Sequence, residues 1–237
     1  MSLQTRPLHP PGHLWLRLAD RAWVDPLDGS FAQETGGRWN PPNSWPTLYF
    51  SRDVETARGQ ILRLLEGTSV NPDDLTDDAY ELVALVLPAM RVVDIVTDEG
   101  VVDAGLPLTY PCDAAGQLIT HAACQRIAQD AHTSGADGIE ARSALIPAYP
   151  LATTELAWWP GAQAPAQVGE RVPYGHWRAA SVTDSGALFR SASASRHPHG
   201  GARSPQRAIP RAATAAGGLR QSAPDLRRHG SRQEGID

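Results

Sequence analysis

The sequence contains no lysine; all 21 of its basic residues are arginine. Any cationic site is therefore a planar guanidinium fork, suited to carboxylate or phosphate. A GC-rich coding sequence accounts for the same bias as simply. Cysteine is scarce as well. Cys112 and Cys124 are the only two, and their spacing of twelve builds no disulfide framework and matches no zinc signature. Both read as reduced, structural thiols, and no metal is expected. No run approaches the roughly 20 apolar residues needed to cross a bilayer, and residues 1–11 are polar and proline-rich, without the apolar stretch of a signal peptide. These absences lead to the expectation of a cytoplasmic protein that does not engage membranes. What is present suffices for a core: 41% of residues are hydrophobic, and seven tryptophans supply heavy anchors.

The net charge of −5 conceals two different materials. Residues 1–177 carry 11 Arg against 22 Asp and Glu, whereas 178–237 carry 10 Arg against 4. Beyond Arg178 the chain is dominated by Ala, Ser, Gly, Pro and Arg, with few large apolar side chains. So few anchors cannot offset an ordering cost of roughly 1–2 kcal/mol per residue. Residues 178–237 are expected to form a disordered tail. Nonspecific contact between this basic tail and nucleic acid is the weaker reading of it, a solvated extension the stronger. Residues 1–12 read as a flexible N-terminus and 13–177 as the folded domain.

Within 13–177, alternation from His13 to Leu18 predicts a strand with Leu14, Leu16 and Leu18 on one face and Trp15 and Arg17 on the other. Gly36 to Asn43 reads as a structured loop. Thr47–Ser51 predicts a second strand, with Ser51 capping a helix that runs to Glu66 and stops at Gly67. Strands are expected at Tyr80–Leu87 and Arg91–Val96, a helix at Leu118–Thr133, a short strand at Gly138–Arg142 that delivers Ser143, and a strand at Thr154–Trp159 closing the sheet. Strands and helices in this order predict an α+β domain of mixed sheets flanked by helices.

The segment Gly36-Gly37-Arg38-Trp39-Asn40 is the most informative for chemistry. Two glycines allow close backbone approach, Arg38 offers a bidentate fork for phosphate, and Asn40 can hold a ribose or an amide. A structural arginine in a tight turn would look the same. Tyr49 follows Arg38 at eleven residues and Gln60 follows Tyr49 at eleven more, while Arg17 lies in the first strand and Ser143 ends a late one.

This layout resembles the RES domain family, named for an arginine, a glutamate and a serine. The matching stretches are Leu14–Leu18, Gly36–Pro42, Leu48–Ser51, the helix through Gln60, Val93–Gly105 and Gly135–Ser143. The resemblance implies a fold similar to ADP-ribosyltransferases. It implies an NAD-degrading toxin that cleaves the nicotinamide–ribose bond with phosphate or water as acceptor, and an Xre-type antitoxin as partner. Carried onto this chain, Arg17 and Arg38 would bind pyrophosphate or incoming phosphate, Tyr49 would stack on nicotinamide, and Ser143 would bond the ribose or carboxamide. Arg38, Gln60 and Ser143 would form the catalytic set, with NAD held by Arg17, Arg38, Asn40, Tyr49 and Ser143.

One position departs from the pattern. Gln60 stands where the resemblance implies a glutamate, and an amide offers no charge to the oxocarbenium-like transition state of N-glycosidic cleavage. Such a loss is worth a few kcal/mol, on the order of a hundredfold or more in rate. Glu55 and Glu66 share its helix but not its face. The sequence therefore also admits a catalytically weak or inactive RES domain that binds a nucleotide or an antitoxin. His121, Trp158, Trp159 and the acidic run at 73–78 read as structural or solvated features.

Overall fold

Alternating apolar residues make Leu14–Asp20 a strand and set two different faces against two different cores. Trp15 and Ala19 join Phe50, Val83, Leu85, Leu156 and Trp158 on one side, and Leu16 joins Val54, Ala57, Ile61, Leu82 and Ala84 on the other. The computed structural model describes residues 3–8, 13–150, 152–161, 163–180 and 188–189. Apart from residues 178–180 and 188–189, the expected tail lies outside the described residues.

The elements in chain order are β1 (Thr5–Pro7), β2 (Leu14–Asp20), α1 (Ser30–Thr35), β3 (Leu48–Ser51), α2 (Val54–Leu65), β4 (Tyr80–Val86), β5 (Arg91–Ile95) and α3 (Asp98–Asp103). They continue with α4 (His121–Thr133), β6 (Gly138–Arg142), β7 (Thr154–Trp158), β8 (Ala166–Gln167), β9 (Val172–Pro173) and α5 (Tyr174–Trp177). Among the described residues the strands form one sheet in the order β1-β5-β6-β7-β3-β2-β4-β8, with β9 also on β4. β5 and β6 run parallel and the other pairs antiparallel. The α+β expectation holds, with one large mixed sheet rather than several.

Helices cover the sheet where its apolar residues demand it. Cys124, Ala128 and Ala131 of α4 and Val101 of α3 pack with Val93, Ile95, Ile139, Ala141 and Ala157. Val54, Ala57 and Ile61 of α2 meet Leu16, Leu82 and Ala84, joined by Tyr174 and Trp177 of α5. Each buried Val, Leu or Ile contributes roughly 1.5–3 kcal/mol to this arrangement.

Several boundaries differ from the sequence reading. The stretch expected to be a flexible N-terminus is not wholly so: Thr5–Pro7 pairs with Arg91–Val93 as an edge strand. Ser51 does not cap α2; it stays in β3, and Asp53 accepts the Thr56 amide instead. Ser51 is held in the ladder opposite Glu155 and cannot turn away to cap the helix. α4 begins at His121 behind the Thr120 cap, because Leu118 and Ile119 are engaged with Cys112 and Pro111. β7 lies between β6 and β3 in the middle of the sheet, so it does not close an edge. Helix α3, capped by Thr97, was read only as part of a matching stretch.

Candidate active site

The site begins where the sheet comes apart. β2 and β4 pair along seven residues, but β2 and β3 meet at a single step, Leu16 opposite Ser51. Past that step the strands part, and a cleft of about 780 Å³ opens beside them. Ligand sites typically occupy about 300–1,000 Å³.

Arg17 stands at the parting. It is 8% exposed; its Nε donates to the Pro26 carbonyl and its Nη1 to the Tyr49 carbonyl at 3.3 Å, while the guanidinium lies over the Trp23 ring. Burial lowers its pKa to about 10, which Asp25 and Asp28 partly counter. It remains charged at neutral pH, and a buried cation of this kind favours an incoming anion.

The loop after α1 presents Arg38. Gly36 turns the chain at φ 75°, and Gly37 passes so close to the Tyr49 ring that a Cβ there would stand 2.4 Å from the hydroxyl oxygen. That hydroxyl accepts from the Trp39 amide at 2.9 Å and donates to Asn40 Oδ1 at 2.7 Å. Gln125 of α4 donates to the Gly37 and Asn40 carbonyls and holds the loop from its other side. Arg38 Nη1 reaches the Ile119 carbonyl at 3.0 Å and Cys124 Sγ at 3.3 Å. Burial works against its charge, but Tyr110, Cys124 and Glu155 outweigh that effect and raise its pKa.

Gln60 comes from α2 and Glu155 from β7, and both line the cleft. Glu155 is hemmed in by protein with one side open to the cleft. Burial raises its pKa, against hydrogen bonds from the Ala144 amide, Gln60 and Ser143 and the more distant charge of Arg38. The Ala144 amide is 3.4 Å from its Oε2. Ser143 is fully buried, accepts from the Leu145 amide at 3.2 Å, and so stands behind Glu155.

The structure thus brings Arg17, Arg38, Tyr49 and Gln60 to the wall of one cleft, with Ser143 one layer back. Asn40 is not brought there. It is fully buried and does not line the cleft; its oxygen accepts from Tyr49 and its amide nitrogen donates to the Ala32 carbonyl at 2.6 Å, so it fastens the loop from inside.

Two cleft residues were missed by the sequence reading. His121 heads α4 and lines the cleft, where burial and the nearby Arg38 and Arg63 lower its pKa. Glu155 was hidden by distance along the chain. The signal was available in the alternation of Thr154–Trp158, which puts a carboxylate in line with buried Ala157 on a central strand. Trp158 and Trp159 are core residues, 3% and 6% exposed, as read. Among the described residues no group of three His, Cys, Asp or Glu side chains could hold a metal ion, and no helix is long and apolar enough to cross a membrane.

The RES domain profile matches residues 14–181. The chain belongs to the RES domain family. Over 102 residues it is 29% identical to the NAD(+) phosphorylase MbcT of Mycobacterium bovis and, to the same extent, to that of Mycobacterium tuberculosis. That span takes in 42% of this chain and 55% of the relative, so this RES protein covers about half the length of the curated relatives it matches. The crystal structure of the M. tuberculosis MbcT-MbcA toxin-antitoxin complex shares its fold, with a TM-score of 0.55 and 19% identity over 77% of this chain and 90% of that one.

Proposed function

We propose that this RES domain consumes NAD by breaking the bond between nicotinamide and ribose, passing the ADP-ribosyl group to phosphate or water, and that it acts as a toxin. The observation that carries the reading is the pair of cleft arginines, Arg17 from β2 and Arg38 from the loop beside α4, in a space with aromatic surface from Trp23 and Tyr49. Guanidinium forks match the two charges of a pyrophosphate, and a flat ring suits nicotinamide. The relatives are NAD(+) phosphorylases, which agrees with that chemistry.

In this reading the arginines hold the pyrophosphate and fix the ribose, so that binding energy is applied to orientation. Tyr49 cannot turn to follow a ligand, because its hydroxyl is engaged at both ends, and its ring offers a fixed surface. A proteinaceous partner of the Xre type would neutralise the toxin; the related structure is a complex of a toxin with an antitoxin.

Gln60 favours a second reading, a domain that binds NAD or its antitoxin with little or no turnover. Nicotinamide release by the purified full chain, with and without phosphate, separates the two. The first reading expects release that is lost in Arg38→Ala. Binding of NAD without release supports the second in its nucleotide-binding form, and neither binding nor release overturns the first and leaves the second only as an antitoxin-binding domain.

A further inference from the structure

Cleavage of the glycosidic bond sends its electron pair out with nicotinamide and leaves a cationic ribosyl carbon, which an enzyme stabilises with a fixed negative charge. Helix α2 presents an amide to the cleft, Gln60, and its own carboxylates are turned away. Glu55 is ion-paired with Arg58 and accepts from the Tyr149 hydroxyl, and Glu66 pairs with Arg63 in solvent. Three carboxylates line the cleft among the described residues: Asp25, Asp28 and Glu155. Asp25 and Asp28 are exposed at its mouth and cap backbone amides there, Asp25 that of Leu27 and Asp28 that of Ser30. Glu155 alone of the three is not exposed, and it lies near Gln60 and Ser143 with the charge of Arg38 within electrostatic reach.

We propose that Glu155, projecting from β7, supplies the carboxylate that α2 lacks, and that Gln60 and Ser143 act as positioning residues that hold it toward the ribose of NAD. The inference rests on the NAD reading above. Strand β7 is a rigid place for such a group, since Glu155 sits in the ladder between Ser51 of β3 and Ala141 of β6. The Ala144 amide lies 3.4 Å from its Oε2, and Gln60 and Ser143 stand near enough to favour its charged form. A carboxylate has about four acceptor sites, so acceptor capacity remains for substrate.

The role balances for either acceptor. Nicotinamide departs as a neutral ring with the bonding pair, Glu155 faces the developing cation, and an acceptor oxygen then bonds the ribosyl carbon. Hydrogen phosphate arrives already charged and needs no base. Water must lose a proton, which passes to Glu155 and from there to solvent. Burial raises the affinity of this carboxyl for a proton, which suits that second duty.

The test uses four versions of the full chain: native, Glu155→Gln, Gln60→Glu, and the exchange Gln60→Glu with Glu155→Gln. The inference expects Glu155→Gln to lose about a hundredfold or more in kcat with little change in KM for NAD. It expects the exchange to recover most of that loss, with the acidic limb of the pH profile displaced because the carboxyl has moved. Glu155→Asp, which keeps the charge but shortens its reach, should fall between native and Glu155→Gln. Unchanged turnover in Glu155→Gln overturns the inference and leaves the NAD reading intact. So does an inactive native chain that Gln60→Glu alone switches on. No NAD binding or turnover in any of the four overturns the NAD reading and the inference with it.

Discussion

The Tyr49 hydroxyl lies 2.7 Å from Asn40 Oδ1 and 2.9 Å from the Trp39 amide, so one side chain of β3 fastens the Arg38 loop from the sheet side. Tyr49→Phe leaves a buried amide without its acceptor and a buried Asn oxygen without its donor. Expected destabilisation is about 1–3 kcal/mol, measured by denaturant unfolding, together with weaker NAD binding because Arg38 is no longer held in place.

Gly37→Ala drives a methyl group against the same hydroxyl. Alone it should cost about 1–3 kcal/mol as overpacking. Combined with Tyr49→Phe, the total should fall short of the sum of the two, because the closest clash is removed while those with the ring carbon at 2.8 Å and Asn40 Oδ1 at 2.9 Å remain. Additive losses would mean that these two remaining clashes, and not the hydroxyl, set the cost of the methyl group.

Glu155 makes stability depend on pH in a definite direction. Its folded pKa is raised by burial, so between the unfolded value and the folded one the native state binds more protons than the unfolded state. Stability from this group is therefore greatest below the unfolded pKa and falls as pH rises through the folded one. Glu155→Gln should raise Tm at neutral pH, and the gain should shrink on acidification toward the ordinary carboxyl range. A variant that is more stable and less active is the pattern expected of a functional group buried against its own solvation.

Asp53 caps α2 and also accepts from the hydroxyls of Thr56 and Thr153, so it ties the helix start to the chain entering β7. Asp53→Ala should cost about 1–2 kcal/mol. Ser51→Ala should lower stability much less, since the Ser51 hydroxyl does not cap α2 and has no hydrogen-bond partner among the described residues.

The elements that alternation or caps announce were legible: β2, β3, β4, β5, β6 and the bodies of α2 and α4 stand where the residue patterns put them. The order of strands was not, because the pairing of β7 with β3 and β6 joins segments about a hundred residues apart or separated by loops that carry no register signal. The same distance hid Glu155. Its neighbours in space, Gln60 and Arg38, lie far earlier in the chain, and a motif read along the sequence looks for its acid on the helix. Asn40 failed for the opposite reason. Its residue type suits ligand and loop equally, and only the hydroxyl of Tyr49 decides between them.

The single rung between β2 and β3 gives Arg17 a second part to play. Where the next rung would be, its guanidinium reaches the Tyr49 carbonyl and bridges the two strands. An anion that drew this guanidinium away from the Tyr49 carbonyl would leave β2 and β3 paired by the Leu16–Ser51 step alone, so the same side chain that offers charge to the cleft also braces the strands beside it.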